Sequence, residues 1–186
     1  LNIMGGTHAT ASREFLLPNA FNAKHTKMLK DAVNIPVFIG HNIFSPEDAE
    51  KMLAEGNADF VALGRSQLAD PAWAKKAKEG RASDIKPCIN CLIGCIDRGM
   101  LSHTPIHCTV NPSLYRFECK PVEKAETRKQ VAVVGAGPTG CEAALTASKR
   151  GHQVTIYEKR CIGGAMIEAS KPENKANIKR LIHYYE

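Results

Sequence analysis

The sequence contains no apolar run approaching the roughly 20 residues that a membrane-spanning helix requires, which excludes a transmembrane segment. Blocks of like charge are also missing: the longest basic runs are pairs such as Lys75-Lys76 and Lys149-Arg150, and the net charge of +6 is spread along the chain. Aromatic residues, 6% of the total, do not interleave with basic ones as they do on a nucleic-acid stacking surface. Solvated helix faces are the expected reading and no nucleic-acid partner is expected, while the modest positive excess suits phosphate-bearing ligands. The chain opens Leu1-Asn2-Ile3-Met4-Gly5-Gly6, without an initiator Met or a charged segment leading into an apolar stretch. No targeting peptide is read there, and the chain is expected to be an internal segment of a longer one. What remains is 186 residues, 44% of them hydrophobic, a composition that can bury a core in one domain or two small ones.

Cysteine placement says more than cysteine number. Of seven cysteines, four fall in one short window as Cys88-x2-Cys91-x3-Cys95-x12-Cys108, and Cys119, Cys141 and Cys161 are scattered. An odd total argues against a secreted disulfide framework and for metal or cluster ligation in a reducing, cytoplasmic setting. Structural zinc favours two close pairs, and Cys108 has no near partner except the adjacent His107. Three thiolates within eight residues plus one remote cysteine match [4Fe–4S] ligation better, with zinc and no metal as the weaker alternatives. Pro87, Gly94, Gly99 and Asn111-Pro112 supply turn residues for a loop whose N–H groups face the sulfurs. Cys119, Cys141 and Cys161 read as structural, Cys141 as a small buried thiol in the first turn of a helix.

Downstream, Val131-Ala132-Val133-Val134 reads as a buried parallel strand, followed by Gly135-Ala136-Gly137-Pro138-Thr139-Gly140 and a helix to Arg150. Gly151 ends that helix, and Gln153 to Glu158 forms a second strand closing on an acid. Strand, glycine loop, helix, strand and terminal acid make a dinucleotide fingerprint. Gly135, Gly137 and Gly140 let the backbone approach a pyrophosphate, and Glu158 accepts ribose hydroxyls. Cys161-Ile162-Gly163-Gly164 offers a second close-approach loop, which suits FAD better than NAD by its resemblance to flavoprotein disulfide-reductase-like domains. Lys171 to Glu186 is expected to be helical, with Ile178, Leu181, Ile182 and Tyr185 on one face. Two strands do not complete a doubly wound fold.

Residues 1–83 alternate helix and strand signals. Ala20 to Val33 is helix-like, Ile35 to Gly40 a buried strand, and Ser45-Pro46-Glu47-Asp48 a capped helix start. Ala58 to Arg65 is a further strand ending in Gly64-Arg65, and Asp70-Pro71 opens another helix. Two short βα units fit either a barrel or an open α/β sheet, and the Gly-Arg at a strand end is where a (β/α)8 barrel builds its phosphate site. Trp73 reads as core.

Asp59 to Arg65 with Ala69-Asp70-Pro71, then Lys86-Pro87-Cys88, Cys91, Cys95 and Cys108, then Val110-Asn111-Pro112 and Gly135-Ala136-Gly137-Pro138, together resemble one family. It is the NADH:flavin oxidoreductases of the 2,4-dienoyl-CoA reductase, enoate reductase and trimethylamine dehydrogenase group. The resemblance implies an α/β chain in three parts. Residues 1–83 are the C-terminal part of an FMN-binding TIM barrel, 84–129 a [4Fe–4S] loop and linker, and 130–186 the first βαβ unit of a Rossmann-like FAD/NAD(P)-binding domain. It implies that Gly64 and Arg65 hold the FMN phosphate, that Cys88, Cys91, Cys95 and Cys108 ligate the cluster, and that Gly135, Gly137, Gly140, Glu158 and Gly164 contact FAD. Asn2 to His8 resembles the segment of dienoyl-CoA reductases that ends in an active-site His, so His8 is the expected catalytic residue; the family's proton-donor Tyr is expected upstream of Leu1. One departure stands out: where the family commonly has Gly-Arg facing FMN, this chain has His41-Asn42.

The implied enzyme takes electrons from NAD(P)H to FAD, through the cluster to FMN, and on to the C=C bond of an enoyl-CoA, dienoyl-CoA or enoate, the fragment alone being inactive. A small unsaturated substrate, acyl-CoA included, and a second copy of the chain are the expected partners. The alternatives are an amine dehydrogenase resembling trimethylamine dehydrogenase and a noncatalytic cluster-binding electron-transfer module.

Overall fold

The structure is a computed structural model, and it describes residues 1–3, 19–114 and 122–186. It divides into two compact units, Leu1–Leu114 and Tyr115–Glu186. Among the described residues, no helix is long and apolar enough to cross a membrane.

In the first unit, three parallel strands stand in sequence order: β1 (Asn2–Ile3), β2 (Phe38–Ile39) and β3 (Phe60–Val61). Asn2 pairs with Phe38 and Phe38 with Phe60, one residue ahead of the Ile3, Ile39 and Val61 row. Helix α1 (Ala23–Ala32) precedes β2. Between β2 and β3 runs α2 (Pro46–Ala54), whose start follows from local chemistry: Ser45 Oγ accepts the Asp48 N–H at 3.1 Å, Pro46 occupies the first turn, and Glu47 and Asp48 face the positive helix end. The strand-helix alternation expected from the sequence is present, with shorter strands. Their inner face builds the core, where Ala20, Ile39, Ile43, Met52 and Ala58 are buried together. On the outer face Phe38 and Phe60 stack at 4.7 Å between ring centres and stay partly exposed.

After β3 comes α3 (Arg65–Ala69), a short helix that begins at Arg65, the residue read as the strand's end, and was not itself expected, and then α4 (Trp73–Lys78). Trp73 is buried, as expected, and donates its indole N–H to the Phe44 carbonyl at 3.4 Å. Asp70 fastens the following turn. Its carboxylate accepts the Ala72 N–H at 3.0 Å, the Lys86 N–H at 2.9 Å and the Lys76 ammonium at 2.5 Å.

In the second unit, β4 (Gln130–Val134) and β5 (Gln153–Tyr157) form a parallel pair in the register Gln130 to Gln153, flanking α5 (Pro138–Lys149). The expectation of a buried strand needs correction. α5 covers the face that carries Val133, whereas Val134 is 87% exposed and Ala132, Thr155 and Tyr157 are open beside it. The pair is therefore half-buried, with one face uncovered. The helix expected over Lys171 to Glu186 is also shorter. Pro172 leads into a 3₁₀ segment, Glu173–Ile178, and only α7 (Lys179–Tyr185) is α-helical, after α6 (Ala165–Ala169). Leu181 and Ile182 are buried, so the apolar stripe read from the sequence does face inward.

Candidate functional site

The cysteine site grows out of α3. Ser66 Oγ donates to the Ile43 carbonyl at 2.7 Å, tying α3 to the segment after β2, and Asn111 Nδ2 donates to the Leu68 carbonyl at 2.9 Å, tying the arm beyond Cys108 to the same helix. Between these anchors, Cys88, Cys91, Cys95 and Cys108 line one small pocket together with Arg65, Leu68 and His107. The four cysteines spaced apart in sequence are thus brought together.

The loop is not built as the sequence implied. Gly94 and Gly99 lie in a π-helical segment, Ile93–Leu101, and they serve close approach rather than unusual dihedrals. A Cβ on Gly94 would fall onto the His107 backbone carbonyl, and one on Gly99 would meet Ile106 Cγ2 at 2.8 Å. The left-handed positions are instead Asn90 (φ 54°) and Leu92 (φ 62°), just ahead of that segment. The expected backbone donor is present at one sulfur, where the Asn90 N–H points to Cys88 Sγ at 3.4 Å, and Thr109 Oγ1 lies 3.2 Å from Cys91 Sγ. Thr109 was not read from the sequence, because a lone Thr after a Cys carries no pattern.

Burial pushes the Cys88 thiol up to about 11, against the pull of the Asn90 amide and the Arg65 cation, and burial raises Cys95 as well. These thiols are protonated at neutral pH without a metal, so ligation must displace their protons. Among the described residues, no group of three or more His, Cys, Asp or Glu side chains is placed to hold a metal ion. None of the six described cysteines is in a disulfide, and Cys141 is buried as expected, with its thiol 3.5 Å from the Ala136 carbonyl.

Arg65 reaches into this site rather than standing free at the strand end. Its Nη2 donates to Asn42 Oδ1 at 2.6 Å, its Nη1 to Asn90 Oδ1, and the guanidinium lies 5.5 Å from the Phe44 ring centre. Burial lowers its pKa, while the Cys88, Cys95 and Cys91 charges act in the other direction. Asn42, the residue that departs from the family pattern, is thus engaged with Arg65 and only 2% exposed. Gly64 has open space where a side chain would go. His8 lies outside the described residues.

The dinucleotide loop has the expected form. Gly135 adopts φ 97°, and a Cβ on Gly140 would collide with the Gly135 carbonyl oxygen. Gly164 packs against Gly137, where a Cβ would come within 2.9 Å of the Gly137 Cα, and the Gly163 N–H donates to the Ala136 carbonyl at 2.8 Å. Both glycine segments therefore meet at one place. Glu158 accepts the Ala136 N–H at 2.9 Å and the Arg160 N–H at 2.9 Å, and these amides hold its pKa below the usual carboxylate range. The carboxylate is fixed and ionised at the edge of the loop. Gly140→Ala is expected to destabilise this unit by about 1–3 kcal/mol, because the obstructing atom is backbone and cannot rotate away; thermal unfolding checks it.

Comparison with known proteins agrees with both halves of this geometry. Residues 9–84 match the NADH:flavin oxidoreductase / NADH oxidase family, and residues 115–179 match the pyridine nucleotide-disulphide oxidoreductases. The two matches define a chain that joins a segment of the NADH:flavin oxidoreductase type to one of the pyridine nucleotide-disulphide oxidoreductase type. Over 153 residues the chain is 50% identical to the NADH oxidase of Thermoanaerobacter brockii, an overlap of 81% of this chain and 24% of that protein. A 2-naphthoyl-CoA reductase solved with 2-naphthoyl-CoA superposes with a TM-score of 0.87 at 33% identity, over 92% of this chain and 26% of that one. Histamine dehydrogenase from Rhizobium sp. 4-9 gives 0.85 at 28% identity, over 99% and 27%. The chain belongs to the NADH:flavin oxidoreductase family in its 2,4-dienoyl-CoA reductase and trimethylamine dehydrogenase-like branch. It spans about a quarter of the length of these relatives.

Proposed function

We propose that this chain carries the electron-relay section of a flavin oxidoreductase that reduces a C=C bond conjugated to a carboxylate or thioester. The observation that carries the reading is the convergence of Cys88, Cys91, Cys95 and Cys108 on one cavity beside Arg65. An all-thiol donor set with three cysteines inside eight residues and a fourth further along fits a [4Fe–4S] cluster better than zinc, which favours two close pairs. Bound there, the cluster supplies one-electron transfer between an FAD and an FMN. The chain's own residues bind and orient. The Asn90 N–H and Thr109 Oγ1 address cysteine sulfurs, Gly64 and the backbone of Arg65 face the FMN phosphate, and Gly135, Gly137, Gly140 and Gly164 make room for the FAD pyrophosphate. Glu158 holds the loop from below and presents its remaining acceptor capacity to a ribose. His8 polarises the substrate, and NAD(P)H is the electron source.

Similarity to a reductase of an aromatic acyl-CoA favours the unsaturated thioester as substrate class, and similarity to histamine dehydrogenase keeps an amine as the second reading. Anaerobic assay of the complete protein separates them: NAD(P)H consumption with an enoyl thioester or enoate supports the first, electron release from an amine the second, and neither overturns both. For the cluster, anaerobic purification should yield a brown protein with about four irons per chain. Cys108→Ala should lose that colour; stoichiometric zinc, or unchanged colour in the variant, would overturn the assignment.

A further inference from the structure

The residue that breaks the family pattern points to a role for Arg65 beyond the flavin. Asn42 and Asn90 come from two separate segments, one after β2 and one inside the cysteine loop, and both adopt the left-handed backbone, at φ 52° and 54°. Asparagine tolerates that conformation better than most residues. Each turns its amide oxygen onto a different nitrogen of the same guanidinium, Asn42 Oδ1 to Nη2 at 2.6 Å and Asn90 Oδ1 to Nη1. Phe44 lies against the guanidinium, 5.5 Å from its ring centre. The cation is thereby fixed at the wall of the cavity that the four cysteines line. Two properties of the clamp matter. A planar fork with two donor nitrogens is needed to engage both oxygens at once, which an ammonium cannot reproduce. The two acceptors are neutral amides, so these bonds orient the cation without cancelling its charge.

We propose that Arg65, clamped by Asn42 and Asn90, is the fixed cation that sets the electron affinity of the cysteine site. This rests on the cluster reading above. Adding one electron to a thiolate-ligated cluster adds a negative charge inside a partly desolvated cavity, and a held guanidinium stabilises the reduced form more than the oxidised one. The midpoint potential is raised accordingly. Asn42 and Asn90 are positioning residues, and their contribution is lost when the fork is released.

The test is a reductive titration with dithionite of the anaerobically prepared, iron-loaded protein, followed by visible absorbance and by electron paramagnetic resonance. Arg65→Gln is expected to lower the midpoint potential by a tenfold change in the one-electron equilibrium, about 59 mV, and Arg65→Lys by less. Asn42→Gly preserves the left-handed backbone while deleting the acceptor, and it should shift the potential in the same direction. Should Arg65→Gln fail to retain iron, Asn42→Gly still supplies the measurement. Full iron content with potentials equal to wild type in both variants would overturn the inference while leaving the cluster reading intact. Loss of FMN from Arg65→Gln with no shift in potential would also overturn it, by reducing Arg65 to a flavin contact. A wild-type protein without iron would remove the cluster reading and this inference with it.

Discussion

Asp70→Ala is expected to cost about 3–5 kcal/mol of stability in the first unit, the range found when one partner of a buried ion pair is removed. Asp70 is only 6% exposed, and its two oxygens accept the Lys76 ammonium and the Lys86 and Ala72 amides. Deleting the carboxylate leaves the Ala72 and Lys86 amides without this acceptor and the Lys76 ammonium with only the Asp84 carbonyl, at 2.7 Å, in a place water reaches poorly. The effect should extend beyond stability, because Lys86 lies two residues before Cys88 and its amide is what pins the entry to the cysteine loop. Asp70→Asn keeps an oxygen for one amide and should lose less. Urea unfolding at pH 7 reads both. The pH dependence follows from the same contacts. Burial alone would raise the Asp70 pKa, but the Lys76 bond and the two amides outweigh it and hold the group below the ordinary carboxylate range in the folded protein. A carboxylate depressed on folding stabilises fully above its unfolded value, and that stability fades as pH falls through the folded value. The gap between wild type and Asp70→Ala should therefore be constant from about pH 5 upward and narrow below about pH 4. A gap that widened in acid would refute the assignment.

Gly94→Ala is expected to reduce the iron content of the anaerobically purified protein to a small fraction of wild type, while the rest of the first unit stays folded. The added Cβ would lie on the His107 carbonyl oxygen, 3.0 Å from its carbonyl carbon and 2.9 Å from its ring Cδ2. That backbone cannot retreat without breaking the bond from the His107 N–H to the Gly94 carbonyl, 2.8 Å long, which holds the two arms of the loop together. Cys95 is the next residue on one arm and Cys108 the next on the other, so separating the arms separates two of the four thiols. Gly99→Ala is the informative control. Its Cβ would meet only the Ile106 Cγ2 methyl, and a side chain can turn aside, so iron should be nearly unchanged. Equal iron loss in both variants would show that the segment resists any added volume and that the Gly94 contact has no special part.

Much of this was legible in the sequence wherever the cause is local. Ser45 and Pro46 announce α2 because a cap and an N-terminal proline act within one turn. The glycine loop and Glu158 announce the β4–α5–β5 unit because the spacing itself encodes the geometry. The cysteine spacing announced a shared site for the same reason. What was not legible depends on residues far apart in the chain. The Arg65 to Asn90 bond spans 25 residues and the Arg65 to Asn42 bond 23, and neither asparagine is distinguishable from a turn residue until the fold joins them. The purpose of Gly94 was misread because close approach to His107 is a tertiary fact. The uncovered face of β4 and β5 likewise cannot be inferred from an apolar run, since the run is the same whether one face or both are packed.

Helix α3 deserves a last consequence. On one side Ser66 bonds the segment after β2, and on the other Leu68 and Arg65 bond the arms of the cysteine loop. Five residues of helix offer no slack between those attachments. In the proposed relay, a strut this short would hold the cysteine loop at one distance from the strand ends.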